Sequence, residues 1–391
     1  MVRINTADKT KCCGCGACAV ACPANCIQMQ PDDEGFAYPM IDDGACIECG
    51  RCLEVCGMQQ PAKLQPAREA YAAWHADPSI RAKGTSGSAF TAFAETVFRA
   101  QGWVAGAAFT DDFKAVEHVL VQTTEDLERL RGSKYLQSET TRCFHEITEQ
   151  LNAGNSILFC GTPCQIASLR LLTGNSERLL ACDLVCHGVP SPAVFSTYLG
   201  EMEVQRKAKV QSYQFRDKSS GWNFPKIAIK YDDGGARREI PWADPYFYGY
   251  SRSILRPCCY ACPFARIERA GDLTLADCWR VAASHPQYDD NKGTSLILVN
   301  TEPGRRLLDE TRGANRLVCG RYDLDLARSR NTPLRQPAHA PSTRAAFFRV
   351  FQETGSFEQA SRVFLKRGFI LRKRIERLIK YIGWPLLRRF Q

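Results

Sequence analysis

Between Cys12 and Pro23 the chain reads CCGCGACAVACP, four cysteines at the spacing C-x2-C-x2-C-x3-C-P. The spacing recurs 34 residues later in CIECGRCLEVCG, so that Cys46, Cys49, Cys52 and Cys56 repeat Cys12, Cys15, Cys18 and Cys22. Three thiols two residues apart wrap three corners of one iron-sulfur cube, and the fourth points away toward a second centre. The expected assignment is therefore crossed: Cys12, Cys15, Cys18 and Cys56 on one 4Fe-4S cluster, and Cys46, Cys49, Cys52 and Cys22 on the other. Zinc also uses C-x2-C pairs, but it needs four ligands per site and seldom arranges them in this doubled pattern. Glycines at 14, 16 and 50 let backbone amides approach the sulfurs. Cys13 and Cys26 fall outside the pattern and read as ordinary buried thiols.

Such a module moves single electrons and does no carbon chemistry, so the rest of the chain must supply the reaction. Its chemistry-bearing stretches are CGTPCQ (Cys160 to Gln165), CDLVCHG (Cys182 to Gly188), RPCCYACPF (Arg256 to Phe264) and ADCW (Ala276 to Trp279). Cys164 follows an apolar strand and a Gly-Thr-Pro turn, with Pro163 suited to the first position of a helix whose N-terminal field favours a thiolate. Cys186 also follows a strand, and both emerge at strand carboxyl ends, where open α/β sheets place their ligands. With the C-x2-C pair Cys259 and Cys262 they form a candidate third iron-sulfur site. Cys258 and Cys278 are open alternatives as ligands. Cys143, Cys160, Cys182 and Cys319 read as inert, since cysteine is among the most buried residue types.

The elements that must position these residues fall into three parts. Residues 1 to 60 hold ten of the twenty cysteines and fold around their inorganic contents. Residues 61–70, PAKLQPAREA, read as a linker with two prolines. From 71 to 335, the runs GWVAGAAF, SILFC, LLACDLV, LTLA and SLILV read as buried strands, with helical patterns FTAFAETVFRA and PCQIASLRLL between them. This alternation predicts an α/β domain with parallel pairing and α+β elements, and KIAIKYDDGGARREI predicts a hairpin turning at Asp233-Gly234. Residues 341 to 391 read as a basic helical tail.

The net charge of +9 sits in that tail, for residues 361 to 391 carry ten basic side chains and one acid. A basic nucleic-acid-binding body is excluded by that placement. Leu371, Ile375, Leu378, Ile379 and Ile382 share one helical face, which suits packing on its own domain, a protein partner or an anionic membrane surface. The opening MVRINTADKTK has no apolar stretch behind its charged start, and no run reaches ~18 apolar residues. A reducing cytoplasm is expected, with peripheral contact at the inner membrane face through the tail.

Eight stretches in order give the second part a family likeness: GTSGSAF, RGSKY, ILFCGTPCQIASLR, DLVCHGVPSP, FRDKSSGW, CCYACPF, DLTLADCW and KGTSLILVNTEPG. They resemble the coenzyme F-420 hydrogenase/dehydrogenase beta subunit family, and residues 1 to 60 resemble bacterial two-cluster ferredoxins. The likeness implies a mixed-sheet flavin-binding α/β domain behind a small ferredoxin-like domain. It implies FAD as cofactor, a redox donor such as ferredoxin, and an organic two-electron substrate, deazaflavin or linked to polysaccharide synthesis. Clusters deliver electrons singly, and a flavin couples them to two-electron chemistry. The likeness assigns the flavin to Thr85, Ser86, Gly87, Ser133, Lys134 and Tyr135. Lys134 suits phosphate or an anionic reduced flavin, and His187 and Asp217 are candidate proton donors. Arg216, Lys218 and Trp222 suit an anion-binding or stacking surface. Relatives usually show Ser-Gly-Gly where this chain has Ser86-Gly87-Ser88, GDfWG where it has Ala276-Asp277-Cys278-Trp279-Arg280, and serine in place of Cys258. No G-x-G-x-x-G follows a strand, so NAD(P)H is not an expected direct partner.

Overall fold

The computed structural model describes residues 3–5, 7–60, 63–250 and 253–365. The apolar face expected at Leu371 to Ile382 lies outside them. The N-terminal part is a hairpin, β1 (Ile27–Pro31) and β2 (Ala37–Ile41), with a one-turn helix on either side, Ala17–Val20 and Arg51–Glu54. Each helix starts after a glycine in the left-handed region, Gly16 at φ 72° and Gly50 at φ 77°. The sequence repeat is thus a structural repeat, with the same turn used twice.

The second part is built on a nine-stranded mixed sheet. In chain order its strands are β3 (Glu69–His75), β4 (Trp103–Phe109), β5 (Val116–Val121), β6 (Ser138–Glu139), β7 (Ile157–Gly161), β8 (Leu179–Leu184), then β12 (Leu273–Asp277), β13 (Ser295–Val299) and β14 (Leu317–Tyr322). Between β8 and β12 the chain makes a separate antiparallel sheet from β9 (Val210–Asp217), β10 (Lys226–Tyr231) and β11 (Ala236–Glu239). The large sheet runs β14-β3-β13-β12-β8-β7-β4-β5-β6, with the central run β12-β8-β7-β4 parallel. The five apolar runs of the sequence became β4, β7, β8, β12 and β13, and four of these form that parallel centre. Buried on both faces, parallel strands need the continuous apolar character those runs have. The predicted hairpin is β10–β11, turning at Gly234 with φ 78°. The stretch read as a linker ends inside β3, whose small residues Ala70, Ala72 and Ala73 are fully packed.

Two apolar contacts help seat the ferredoxin-like part on the sheet domain. Ala17 and Val55 enter the core formed by the helices Thr141–Asn152 and Pro163–Leu172. Phe36 and Tyr38 join a second, aromatic core with β9, β10 and the helix Pro192–Arg206. The start of the predicted tail belongs to this core as well, since Phe347, Phe348 and Phe351 of helix Arg344–Thr354 are buried there. No helix among the described residues is long and apolar enough to cross a membrane.

Candidate functional site

The structure gathers the chemistry-bearing residues into three adjoining spaces. The first is lined by Cys12, Cys15, Cys18 and Cys56, the group expected from the crossed pattern, together with Cys13 and Met58. Cys18 is pushed above the ordinary thiol range by burial and by the neighbouring sulfurs of Cys15, Cys12 and Cys56. Cys22, Cys26 and Cys52 form a buried cluster against which Cys46 packs, together with Cys18 and Cys56 of the first space, and the Cys22 and Cys26 sulfurs are 3.3 Å apart. Cys49, the remaining cysteine of the outer set, is exposed, as is the side chain of Ile47 two residues before it.

The second space, about 40 Å³, is lined by Cys164, Cys186, Cys259 and Cys262, with Cys13 and Cys258. Three separate elements deliver them. Cys164 occupies the first turn of helix Pro163–Leu172, where Pro163 opens the helix and the Gln165 side chain accepts from the Thr162 amide at 2.9 Å. Cys186 follows the carboxyl end of β8, and Cys259 and Cys262 belong to the tight turn Pro257–Ala261 and its end. Burial first, then the sulfurs of Cys259, Cys164 and Cys262, push the Cys186 thiol far above its ordinary value. Burial likewise raises Cys262, and a cationic centre between these sulfurs would offset the cost of charging them. No group of three or more His, Cys, Asp or Glu among the described residues is posed around a single metal ion. Cys278 lies away from this space, against Tyr322, and Cys143 is packed in the core.

The third space is the largest, a cavity of about 280 Å³ at the carboxyl ends of β7, β8 and β12. That is close to the lower end of the ~300–1,000 Å³ typical of small-molecule sites. Thr85, Ser86, Ser133, Lys134, Tyr135 and His187 all line it. Ser133 is tied to Thr85, its amide donating to Thr85 Oγ1 at 2.8 Å, so the two predicted turns form one wall. Gly87 does not face the cavity. A Cβ there would meet the Ala73 carbonyl at 2.3 Å, so this glycine serves close packing against β3. Asp217 is also elsewhere, at the end of β9, where it accepts from Ser219 and pairs with Arg238 at 3.7 Å.

Electrostatics single out two lining residues. Burial pushes the Lys134 amine down to about 7, and its Nζ donates to the carbonyls of Arg129 and Arg131 at 2.9 and 3.0 Å. His118, on β5, is held down at about 4 by burial. Its Nε2 lies 3.1 Å from the Cys160 carbonyl, so Nε2 carries the proton and the buried Nδ1 is left as an acceptor without a partner. Sequence reasoning missed His118, because alternation in VEHVLV marks it only as an inward strand position. Cys160, expected to be inert, lines the cavity opposite Cys182 on the neighbouring strand.

At the mouth, Arg216 donates to Tyr135 Oη at 2.8 Å, pairs with Asp277 at 3.3 Å and lies 4.5 Å over the Trp222 ring. The Trp222 and Trp279 rings are stacked at 6.5 Å, and Lys218 donates to the Ser86 carbonyl at 2.8 Å. The loop after β9 is thereby pinned over the Thr85–Ser88 turn. Ser88 and Arg280, the two positions at which the family resemblance leads one to expect glycine, stand in left-handed backbone at φ 61° and 57°, a conformation that favours glycine.

The three spaces share walls. Cys13 and Met58 line both the first and the second, and Cys186, His187, Gly188 and Val189 line both the second and the third. Cys13 is in thiol contact with Cys15 on one side and Cys164 on the other.

Comparison with known proteins gives three family matches in order along the chain. They are a 4Fe-4S dicluster domain over residues 11–59 and the N-terminal and C-terminal regions of the Coenzyme F420 hydrogenase/dehydrogenase beta subunit over 70–144 and 154–323. The chain is 23% identical over 321 residues to one subunit of the F(420)H(2) dehydrogenase of Methanosarcina mazei, covering 76% of this chain and 87% of that protein. It is 29% identical over 168 residues to the Coenzyme F420-dependent sulfite reductase of Methanocaldococcus jannaschii, 42% of this chain but only 26% of that longer protein. A chain solved in the F420-reducing NiFe hydrogenase complex of Methanosarcina barkeri superposes with a TM-score of 0.49 at 16% identity, over 69% of this chain and 90% of that one. The expected likeness is thus met in both regions: this chain belongs to the coenzyme F420 hydrogenase/dehydrogenase beta subunit family of oxidoreductases, with a 4Fe-4S dicluster domain ahead of the beta-subunit region.

Proposed function

We propose that the chain is an iron-sulfur flavoprotein that exchanges single electrons with a protein donor at its outer face and two electrons with an organic substrate at its cavity. The observation that carries this reading is the run of three spaces with shared walls, from the Cys12 group through the Cys164 group to the cavity. A scaffold has no need to aim its cysteine sites at one another and at a ligand-sized cavity.

The donor sets fit the groups assigned to them. Cys12, Cys15, Cys18 and Cys56 would hold one 4Fe-4S cluster, and Cys22, Cys46, Cys49 and Cys52 the second. Cys164, Cys186, Cys259 and Cys262 would hold a third, with Cys258 beside them. The cavity suits FAD in its chemistry: hydroxyls and amides at Thr85, Ser86 and Ser133 for phosphate or ribose, a cation at Lys134, and the bare Nδ1 of His118 for a ligand N–H or O–H. When bound, these groups supply one-electron relay and its coupling to two-electron chemistry. The chain's own part is to hold them in line, exclude water from the buried thiols, and keep His187 at the shared wall as a proton carrier. Asp217, outside the cavity, takes no part as a proton donor. A deazaflavin coenzyme or a sugar-linked compound are the substrate classes under this reading, and the stacked Trp222 and Trp279 with Arg216 suit a planar one.

A second reading is an electron-transfer subunit of a larger complex without its own substrate. The exposed Ile47, next to Cys46 in the chain, and the exposed Met40 of β2 favour a protein partner in either case. Iron and flavin content of anaerobically purified protein separates the two. About twelve irons and one FAD per chain support the enzyme, and about eight irons without flavin overturn it.

A further inference from the structure

Arg256 is a fully buried arginine between the two parts of the chain. Its Nε donates to the Cys12 carbonyl at 2.8 Å, and one Nη donates to the Gln137 side chain at 2.9 Å. The other Nη reaches the Ala37 carbonyl at 2.9 Å and the Cys12 sulfur at 3.5 Å. The guanidinium also lies 4.0 Å over the Tyr38 ring. No carboxylate among the described residues forms an ion pair with it; its hydrogen-bond partners are carbonyls, one amide and one thiol.

Removing a guanidinium from water costs several kcal/mol unless an anion compensates it. Carbonyl and amide oxygens satisfy its N–H groups but bring no net charge. Of the side chains it touches, Gln137 and Tyr38 are neutral, and the Cys12 sulfur is the one that would carry negative charge as the ligand of a cluster, itself an anion. We propose that Arg256 is the counter-ion of the iron-sulfur site at Cys12, Cys15, Cys18 and Cys56, a positioning residue that raises the reduction potential of that site above that of the outer one. The inference rests on the reading above that this site holds a cluster.

Reduction adds one negative charge to the site, and a fixed cation in a dry interior stabilises the reduced form more than the oxidised one. Arg256 is fixed at both ends. Its amide donates to the Val189 carbonyl at 2.9 Å, and its carbonyl accepts from the Cys259 amide at 3.0 Å. The side chain therefore cannot withdraw without moving the turn that carries Cys259. At the outer group Arg3, which interacts with Cys46, and Arg51, next to Cys52 in the chain, are surface residues paired with Asp43 and Glu54. Water and salt screen such pairs. The asymmetry makes transfer inward, from the outer site toward the sheet domain, the downhill direction.

The test is a redox titration of the full chain followed by electron paramagnetic resonance, on the parent, Arg256→Gln, Arg256→Lys and Gln137→Glu. In Arg256→Gln one couple shifts downward, so that at the parent's midpoint the ratio of reduced to oxidised cluster falls at least tenfold, about 59 mV for a one-electron couple. Arg256→Lys keeps most of the parental potential, and the remaining couples stay in place. Gln137→Glu sets a carboxylate against the guanidinium and shifts the same couple downward with the arginine still present. An iron-replete Arg256→Gln protein with every couple at its parental midpoint overturns the inference. Should Arg256→Gln lose iron, an unshifted Gln137→Glu protein overturns it. Failure of the reading beneath it looks different: a parent whose iron content is unaffected by Cys12→Ser holds no cluster there.

Discussion

Arg269 and Asp183 form an ion pair at 3.0 Å with both side chains buried. The pair joins the carboxyl end of β8, which leads to Cys186, to the segment following Cys262. Arg269 also donates to the carbonyls of Leu184 at 3.0 Å, Phe264 at 3.2 Å and Arg266 at 2.9 Å, so one guanidinium ties the backbone on both sides of the second cysteine space. Asp183 in turn accepts from the Gly271 amide at 3.0 Å.

Removing one partner of a buried pair leaves the other uncompensated and costs about 3–5 kcal/mol. Arg269→Met should therefore lower the melting temperature sharply. Under the proposed function, with a cluster at Cys164, Cys186, Cys259 and Cys262, iron content should fall from about twelve toward about eight per chain, since that site loses its frame while the N-terminal sites do not. Arg269→Met combined with Asp183→Leu should recover part of the stability. Iron analysis beside a thermal melt checks this, and full iron retention in the single variant would show that the pair does not organise that site.

Lys134 and His118 give stability a definite pH dependence. Lys134 titrates near 7 in the fold against about 10.5 in the unfolded chain. Between those values the unfolded state binds more protons, so stability rises with pH across that window, and the full penalty stands below pH 7. His118 has the same sign in a lower window, because its folded value is about 4 against an ordinary 6.5. Stability should fall as pH drops from 6.5 toward 4. Chemical denaturation from pH 5 to 9 should show both rises, the upper one absent in Lys134→Met and the lower one absent in His118→Phe. An anionic ligand in the cavity returns Lys134 to its charged form, so binding at pH 8 should take up a proton, measurable by calorimetry in buffers of different ionisation enthalpy.

Arg280 offers a clean test of local backbone cost. It holds φ 57° while its side chain is exposed. Glycine adopts that conformation without the Cβ penalty of about 1 kcal/mol. Arg280→Gly should therefore be neutral to stabilising by up to about 1 kcal/mol, against the usual loss for a glycine substitution. Ser88 has the same geometry, but its Oγ donates to the Arg81 carbonyl at 3.0 Å, so Ser88→Gly should gain less.

These cases mark how far the sequence could be read. The repeated cysteine turn and the strands of the parallel centre were legible because each rests on local spacing or an uninterrupted apolar run. Thr85, Ser133 and Lys134 reached the cavity through a family likeness. Neither Arg256 nor Arg269 carries any local signal, for each acts on partners that only the tertiary fold brings near. Cys13 shows the limit most plainly. Outside the cluster spacing it reads as a buried thiol, yet it lies between Cys15 and Cys164, the contact that joins two cysteine spaces. Asp217 shows the converse, since a carboxylate in FRDKSSGW reads as a candidate proton donor, whereas alternation along β9 sends it to the side opposite Arg216, where it pairs with Arg238.

Under the proposed function the group Cys22, Cys46, Cys49 and Cys52 is the port for a protein donor. Cys49 and Ile47, two residues apart, are exposed there, Ile47 at 65%, and Met40 of β2 is 55% exposed; exposed apolar side chains of this kind are what a transient redox partner covers. Met40→Asp with Ile47→Asp leaves every cysteine in place, so iron content and reduction by dithionite, a small reagent that needs no docking surface, should match the parent. Reduction by a protein donor such as a ferredoxin should slow about tenfold, equivalent to about 1.4 kcal/mol of lost association energy. Stopped-flow rates with the two reductants separate surface from site. Equal slowing with both would mean the substitutions damaged the site itself, and no slowing with either would move the docking surface away from this patch.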